Sequence, residues 1–490
     1  MKTMKHIQRS ALLLLFTLGC AITIQAQKPF RSEVIRFMGA ERHLDLRDIV
    51  WKEYENAPSS KLRRIGSSSS DQQGVRWIDR INNLPEYMQT FHEEYGKKVA
   101  EVLNGGSNEL SDHTLAMHFE DDNSYRMLMT SYTKKISFEF PANASEDVIA
   151  QCVWDVMGQV DNDTGSEINC FMPYLAISLS YDYPEAFWTA NGYWWNYMWS
   201  FWYTYDDPSK GIGEIEYTID IYYTLEIAGT YDQRCEEFQS GQLVMDAVVE
   251  FNQCVNSILA NAPQNYRYNT IAYFNEWLTT HNSYSSAFGK VDNVPTIVWS
   301  ALSALKGSTG DSGPVCEGYS RAFKVLCDKS NIPCILATGN AKARRYDKGE
   351  AHMWNEVQME DGKWYAVDVT WNDPSDSRNI AKSGHEGDFW LLLGKKTVVD
   401  NTNFSFAESH PHGIFWDVSA EYEQQWDYSV ASLINDYRYS VATDITDVST
   451  ESSTQPVSIF SINGQQLSTP QKGVNIILMN NGQTRKILAK

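Results

Sequence analysis

The sequence predicts an α+β fold in which a helix packs on an antiparallel sheet, and three patterns support this prediction. Apolar residues between 319 and 326 are spaced at i, i+3, i+4 and i+7, which indicates an amphipathic helix. Residues 351–359 and 363–370 have the composition of strands, and the Asp-Gly step between them is typical of a hairpin. Two longer helical patterns precede this helix and this hairpin in the chain. Because a hairpin makes its strands antiparallel, this order is typical of α+β proteins.

Cys316 lies where the amphipathic helix is expected to begin. Residues 312–314 directly precede it as a start signal, and Asn331 and Pro333 form the stop signal. In the first turn, unpaired N–H groups and the positive end of the helix dipole favour a thiolate. The backbone N–H of Cys316 would also be free to face a developing oxyanion.

The length of the hairpin loop decides whether His352 and Asp368 share a face of the sheet. With a three-residue loop that ends in a glycine bulge, Met359 pairs with Lys363, and His352 and Asp368 become diagonal neighbours with backbones roughly 7–8 Å apart. With a two-residue loop they would lie on opposite faces. We therefore predict the three-residue loop, and pairing of Glu360 with Lys363 would contradict it.

Cys316, His352 and Asp368 together supply a nucleophile, a base and an orienting carboxylate, the pattern of cysteine acyl-transfer sites. Taken alone, a helical cysteine is more often a small buried apolar group, so the interpretation depends on the set. No cofactor or metal is expected. The sequence contains no calcium loop and no Cys-x-x-Cys pair, and His410 and His412 lack a third ligand.

Three motifs carry a resemblance to a known family. They are Cys316-Glu317-Gly318-Tyr319, Ala351-His352-Met353-Trp354-Asn355 and Asp368-Val369-Thr370-Trp371-Asn372-Asp373-Pro374. These motifs resemble those of the transglutaminase-like superfamily, especially its secreted bacterial branch. The resemblance covers about residues 265–416 and implies a papain-like α+β core with a Cys-His-Asp triad at the three residues named above. Ser320 and Met353 replace the usual alanines, and Met353 could narrow access to the cleft.

We predict four segments along the 490 residues. They are a signal peptide at 1–26, an N-terminal accessory α/β region at 27–235, the transglutaminase-like catalytic domain at 236–440, and a small C-terminal β module at 446–490. Basic residues followed by an apolar run indicate cleavage after Ala26, and lipid attachment at Cys20 is the less favoured alternative. No other apolar run reaches the about 20 residues that a membrane helix requires. We therefore expect a secreted or cell-surface protein, in the periplasm or on the outer surface of a Gram-negative-type cell.

Charge and cysteine content restrict the partners. The formal net charge is −21, and cleavage of the signal peptide would remove three positive charges and make the chain still more negative. This charge argues against nucleic acid and anionic membranes as partners. Seven cysteines would remain, so at least one thiol stays unpaired, and Cys316 is the candidate. Two disulfides are left open, Cys152 with Cys170 and Cys235 with Cys254. A third, Cys327 with Cys334, is less favoured because both cysteines fit buried positions.

The accessory region and the approach to the catalytic motifs contain further predicted elements. Helices are expected at 85–103, 145–160, 236–260, 269–281 and 296–305. Strands are expected at 125–140, 215–227, 333–338 and 389–393, and residues 175–180 alternate or run apolar. Residues 188–205 are the most unusual stretch because they are so rich in tryptophan and tyrosine. We predict a twisted strand pair whose aromatic side chains pack against the catalytic domain, and a stacking platform for sugars or peptides is the alternative.

The C-terminal segment follows a Ser/Thr-rich linker at 446–456. Residues 457–490 are expected to form short strands joined by turns at Asn-Gly and Lys-Gly steps. Their composition resembles a C-terminal sorting module of exported Bacteroidetes proteins, which implies that the export machinery is a partner. A small stabilising β appendage is the alternative.

The leading functional hypothesis is thiol-dependent acyl transfer at a peptide or side-chain amide bond through a thioester. The expected substrate is a protein or peptide, including cell-wall peptide. Water as acceptor would make the enzyme a peptidase or amidase, and an amine would make it a cross-linking transglutaminase. We favour hydrolysis because an open cleft outside the cell is exposed to water. The alternatives are a non-catalytic cell-surface binding module that uses the cleft and the aromatic segment, and a structural scaffold.

Overall fold

A computed structural model describes the parts of the chain that carry the predicted site. The described residues are 35–38, 42–45, 52–53, 76–105, 117–118, 125–188, 192–224, 241–290, 294–373, 389–414, 434–440, 456–461, 465–479 and 484–489. The predicted signal peptide and the polar stretch at 62–74 lie outside them. So do almost all residues of the predicted linker at 446–456.

Helices and antiparallel sheets both occur among the described residues, which confirms the predicted α+β class. The α-helices are α1 (Glu86–Leu103), α2 (Glu146–Asp182), α3 (Gly241–Asn261), α4 (Arg267–His281), α5 (Ala301–Leu305), α6 (Cys316–Lys329), α7 (Val369–Asn372) and α8 (Phe406–Ser409). The strands are β1 (Ile35–Met38), β2 (Arg42–Asp45), β3 (Lys52–Glu53), β4 (Met117–His118), β5 (Tyr125–Glu139), β6 (Gly192–Thr204), β7 (Ile212–Thr224), β8 (Cys334–Ala341), β9 (Glu350–Gln358), β10 (Trp364–Val367), β11 (Gly413–Ile414), β12 (Pro456–Ser461), β13 (Gln466–Leu467), β14 (Gly473–Met479) and β15 (Thr484–Ala489).

The strands form four antiparallel sheets. One contains β1, β6, β7, β5 and β4 in that order, with β2 also paired to β6. The second has the order β10-β9-β8, the third pairs β11 with β3, and the fourth has the order β13-β12-β14-β15. Helix α6 packs on β8 and β9 of the second sheet. Helix α6 carries the first motif, β9 carries the second, and the third begins directly after β10.

The hairpin between β9 and β10 has the predicted register. Trp364 lies opposite Gln358 and Val367 lies opposite Asn355, so Met359 falls opposite Lys363. Gly362 has a φ of 74°, the left-handed conformation that this loop needs from a glycine. The three-residue loop is therefore confirmed.

The second strand of this hairpin is shorter than predicted. Strand β10 ends at Val367 rather than at residue 370, because Asp368 caps α7 by accepting a hydrogen bond from the backbone N–H of Trp371 at 3.1 Å. An acceptor at this position satisfies an N–H that the first turn of a helix leaves without a partner. The cap also fixes the carboxylate at the end of the strand.

Residues 175–180, whose pattern alternates or runs apolar, are the last turns of α2, which continues past Pro173 to Asp182. Two further predicted elements are wrong. The predicted helix at 296–305 is a 3₁₀ turn followed by α5, separated by the extended backbone of Ser300. Residues 389–393 form only one bridge, from Leu393 to Ala366, because the left-handed φ of 55° at Leu392 interrupts any strand.

The aromatic segment is one strand, not the predicted strand pair. In β6 the odd-numbered side chains from 195 to 203 are all buried. They pack on α2 of the same region, where Trp154 contacts Trp199 and Phe201 at ring distances of 6.2 and 5.4 Å. The chain turns only after Thr204, where Gly211 with a φ of 65° leads into β7. The expected packing against the catalytic domain is therefore replaced by packing on α2.

The end of α2 connects the predicted accessory region to α6. The Arg321 guanidinium on α6 donates to the Ser180 carbonyl and to its hydroxyl at 2.6 and 2.5 Å. The indole N–H of Trp77 donates to the Leu336 carbonyl on β8 at 2.9 Å. Both contacts are buried, so the two regions share one interior.

The described cysteines are free thiols. Cys152 and Cys170 lie on the same helix, about 27 Å apart along its axis, so the disulfide left open between them is wrong. Cys254 is also free, and Cys235 lies outside the described residues. Cys327 and Cys334 are buried and in contact but form no disulfide. Burial is the largest cause, and the neighbouring Cys334 the next, that raises the pKa of Cys327 well above its usual value.

The C-terminal segment forms the short strands that the sequence predicts. Strand β12 pairs with β13 and β14, and β14 pairs with β15. Gly473, in the predicted Lys-Gly turn, has a φ of 105°. A role in sorting stays a prediction. No helix among the described residues combines the length and the apolar character needed to cross a membrane.

Candidate active site

Cys316 is the first residue of α6, as the sequence predicts. The segment before it is held by two backbone hydrogen bonds, from Val315 to the Val298 carbonyl at 3.0 Å and from Ser285 to the Pro314 carbonyl at 3.2 Å. A Cβ on Gly318 would lie 2.5 Å from the Val298 carbonyl oxygen, so only glycine permits this close approach. The helix start is fixed in position while the Cys316 side chain stays partly exposed.

His352 on β9 and Asp368 after β10 are in direct contact. His352 Nε2 lies 2.8 Å from Asp368 Oδ2, and both residues are buried, with 4% and 1% of their surface exposed. The hairpin register places them diagonally, and the turn into α7 brings the carboxylate to the imidazole. A nitrogen facing a carboxylate carries the proton, so Nε2–H donates to Asp368.

The second ring nitrogen of His352 is left for the thiol. Nδ1 is buried and makes no hydrogen bond with the described residues. Burial opposes a charged imidazole, but the Asp368 carboxylate and the Cys316 thiol outweigh it and raise the pKa of His352 to about 10. Burial likewise opposes the Asp368 anion, but His352 and His410 more than offset this and hold its pKa below the usual range. His352 and Asp368 therefore form one electrostatic unit, and Cys316 is among the groups that raise the pKa of His352.

His410 is a member of the cluster that sequence reasoning missed. Its Nε2 lies 3.1 Å from Asp368 Oδ2, the oxygen that His352 also contacts. Burial is the main reason that the pKa of His410 is lowered to about 4. His412, considered together with it as a metal ligand, instead contacts Glu356 at 2.6 Å. Forty-two residues separate Asp368 from His410, and no spacing pattern in the sequence relates them.

These side chains could also hold a cation. Ligand atoms of His352, Asp368 and His410 all lie within 4.8 Å of one another, and all three residues are buried. However, each imidazole Nε2 already donates to the carboxylate, so a cation would have to replace both protons. At His352 the proton is held strongly, which favours the hydrogen-bonded state over a metal complex.

Motif residues next to the cluster support its geometry. The Tyr319 hydroxyl on α6 donates to the Asp373 carboxylate, and Asn355 Nδ2 on β9 donates to the Ser320 carbonyl at 3.0 Å. The Asn355 bond joins the helix that carries the cysteine to the strand that carries the histidine, and the Tyr319 bond joins the same helix to the segment after α7. Met353 is buried in the main core, because neighbouring side chains on a strand face opposite sides, and so it does not narrow the cleft as expected.

Aromatic rings enclose the two imidazoles. Trp371 lies over His352 with a ring distance of 4.9 Å and an interplanar angle of 24°. Phe406 stacks on His410 at 4.3 Å and 15°. Such rings exclude water from the His-Asp contacts and strengthen the interactions between the charged groups. They also restrict rotation of both imidazoles.

The raised pKa of His352 predicts how stability depends on pH. Its charged form stabilises the folded state fully below the unfolded pKa of about 6.5. Between pH 6.5 and 10 the unfolded chain loses this proton while the folded chain keeps it, so the contribution declines. We expect the advantage of the wild type over His352→Gln in unfolding free energy to shrink by several kcal/mol from pH 6 to pH 10. Denaturant titrations at both pH values measure this, and a constant difference would contradict the ion pair.

A comparison with protein families agrees with the motifs. Residues 252–369 match the family model described as the transglutaminase-like superfamily, which bears out the resemblance. A Cytophaga hutchinsonii structure described as a candidate cysteine protease aligns with 12% identity over 52% of this chain and 68% of that chain, with a TM-score of 0.19. The periplasmic domain of TgpA from Pseudomonas aeruginosa, bound to ethylmercury, aligns with 10% identity over 36% of this chain and 72% of that chain, with a TM-score of 0.19. No curated protein matches the chain.

Proposed function

We propose that this chain, whose residues 252–369 form a domain of the transglutaminase-like superfamily, is an exported cysteine enzyme acting on peptide or side-chain amide bonds. The observation that carries the proposal is the 2.8 Å contact between His352 and Asp368, beside a partly exposed cysteine at a helix start. A buried carboxylate bonded to an imidazole whose other nitrogen is left for a thiol is the arrangement that cysteine acyl transfer needs.

Each residue has a defined role in the proposed reaction. The Cys316 thiolate attacks the amide carbonyl, and its backbone N–H, which has no acceptor within the helix, stabilises the oxyanion. The His352 imidazolium gives its Nδ1 proton to the leaving amine, which departs and leaves a thioester. His352 then removes a proton from the acceptor as it attacks the thioester carbonyl, and the C–S bond breaks to release the Cys316 thiolate. Asp368 keeps the ring oriented through both steps.

We favour water over an amine as the acceptor and a protein or cell-wall peptide as the substrate. Export is supported by the basic and apolar residues before Ala26 and would place the cleft in contact with water. The burial of alternate aromatic side chains in β6 counts against a binding platform there. We therefore retain the enzyme hypothesis alone.

The test is turnover of a mixed library of peptides and peptidoglycan fragments by the full chain. Wild type and Cys316→Ala are compared with and without an added primary amine, and products are identified by mass. We expect hydrolysis products with the wild type only, and little amine incorporation. Equal turnover by both proteins would contradict a thiol mechanism, and amine adducts as the main product would make the enzyme a transglutaminase.

A further inference from the structure

We propose that His410 is a positioning residue that holds the Asp368 carboxylate in place for His352, so that the site has four members rather than three. The inference rests on the proposed function, because it assigns His410 a task in the same reaction. His410 does not touch Cys316 in any described contact, and it would act only through Asp368.

The contacts of the carboxylate support this role. Asp368 accepts three hydrogen bonds: the backbone N–H of Trp371 binds Oδ1 at 3.1 Å, and His352 and His410 bind Oδ2 at 2.8 and 3.1 Å. Three donors fix both oxygens and leave the carboxylate no freedom to rotate. Hydrogen bonds to the charged form also favour the anion, and His410 is one of the groups that lower the pKa of Asp368.

The surroundings of His410 fix its ring for this contact. The residue is 1% exposed, stacks on Phe406, and meets Trp371 at a ring distance of 4.7 Å. Its Nδ1 lies 3.1 Å from the Ser409 hydroxyl, which also lies 2.6 Å from the Lys342 carbonyl. The Ser409 hydroxyl donates to the Lys342 carbonyl, so it does not hold Nδ1 of a neutral ring. The packing of Phe406 and Trp371 is what keeps Nε2 directed toward Asp368.

Proton count explains why a histidine suits this position. His352 must give up and regain a proton during turnover. The second imidazole that binds Asp368, that of His410, should keep the same protonation state throughout. Burial keeps the His410 ring neutral, so it supplies one N–H without adding a second positive charge. The titratable groups that face it are Asp368, His352 and the more distant His412.

The experiment compares the full-length wild type with His410→Phe, His410→Gln and His412→Leu. Phenylalanine keeps the ring shape without a donor, and glutamine keeps an N–H near the position of Nε2. His412→Leu is the matched control, because His412 lies on the same segment but contacts Glu356. Alkylation of Cys316 by iodoacetamide is followed against pH by mass spectrometry of its peptide, and thermal unfolding checks the fold.

We expect the lower midpoint of the alkylation profile to rise by about one pH unit in His410→Phe, the size of effect expected when an anion loses one charge-assisted donor. On a substrate from the library, kcat should fall roughly 10-fold with KM unchanged. His410→Gln should restore both quantities, and His412→Leu should match the wild type. If His410→Phe does not fold, His410→Leu replaces it.

Three outcomes would overturn the inference. The profile of His410→Phe could coincide with that of the wild type, or His410→Gln could behave like His410→Phe. A wild-type profile that changes with EDTA would assign the cluster to a bound metal. In contrast, a wild-type Cys316 that reacts like an ordinary thiol at every pH would contradict the proposed function itself, so the two failures are distinguishable.

Discussion

Replacement of His352 by glutamine is expected to lower kcat/KM by about 10⁶-fold, the loss that follows removal of the base from a catalytic triad. Nε2 of His352 is bound to Asp368 and Nδ1 has no hydrogen bond among the described residues, so Nδ1 is the nitrogen that we expect to exchange a proton with Cys316. Glutamine is neutral at every pH and cannot stabilise the thiolate by charge. Steady-state kinetics on a library substrate measure the loss, and Cys316 should also become slow to react with iodoacetamide near pH 7.

His412→Gln is the control for this prediction. It removes a nearby imidazole that is bound to the carboxylate of Glu356, but it leaves His352 and its partners intact. Its kcat/KM should stay within about threefold of the wild type, as expected away from the reacting atoms. A His352→Gln protein that keeps more than a hundredth of the wild-type activity would show that another base serves the thiol.

Asp368→Asn should have the next largest effect, a decrease in kcat/KM of about 10⁴-fold, as when a triad carboxylate becomes an amide. The three donors around Asp368 need acceptors, and asparagine offers one oxygen and an NH₂ group. At least one donor would face another donor inside the protein, so the His352 ring would lose its orientation. The imidazolium would also lose its counter-charge.

The control for Asp368→Asn is Glu356→Gln. Glu356, which lies on β9, is also a buried carboxylate in contact with a histidine, in this case His412. It has no described contact with His352. Unfolding free energies and kcat/KM should be measured for both variants. If the two lose stability and activity to the same extent, the effect of Asp368→Asn comes from a buried unpaired group and not from catalysis.

Local signals in the sequence were sufficient to locate the predicted site. Gly362 identifies a left-handed loop position, and the loop length then fixes the register that puts His352 and Asp368 on one face. The start of α6 follows from the residues before Cys316 and from the apolar spacing after it. Each of these steps depends on residues that are close together in the chain.

Contacts between distant segments could not be predicted in this way. His410, which follows α8, contacts Asp368 although the two residues are far apart in the chain. No periodic pattern in the sequence predicts this contact. The pattern at residues 175–180 is ambiguous for a different reason. A short apolar run is compatible with a strand or with a helix buried on all sides, and only the packing of α2 in the core decides.

The bond between Arg321 and Ser180 has a consequence for truncated versions of the protein. A fragment containing only residues 236–440 would lack Ser180 and Trp77, so the guanidinium of the catalytic helix and the Leu336 carbonyl would each lose a buried partner. Unsatisfied buried groups of this kind are costly, and the fragment would also expose the apolar surface that α2 covers. Expression of residues 236–440 alone would therefore remove part of the interior that this fragment shares with the preceding region. Biochemical work should begin from a protein that retains residues 76–188.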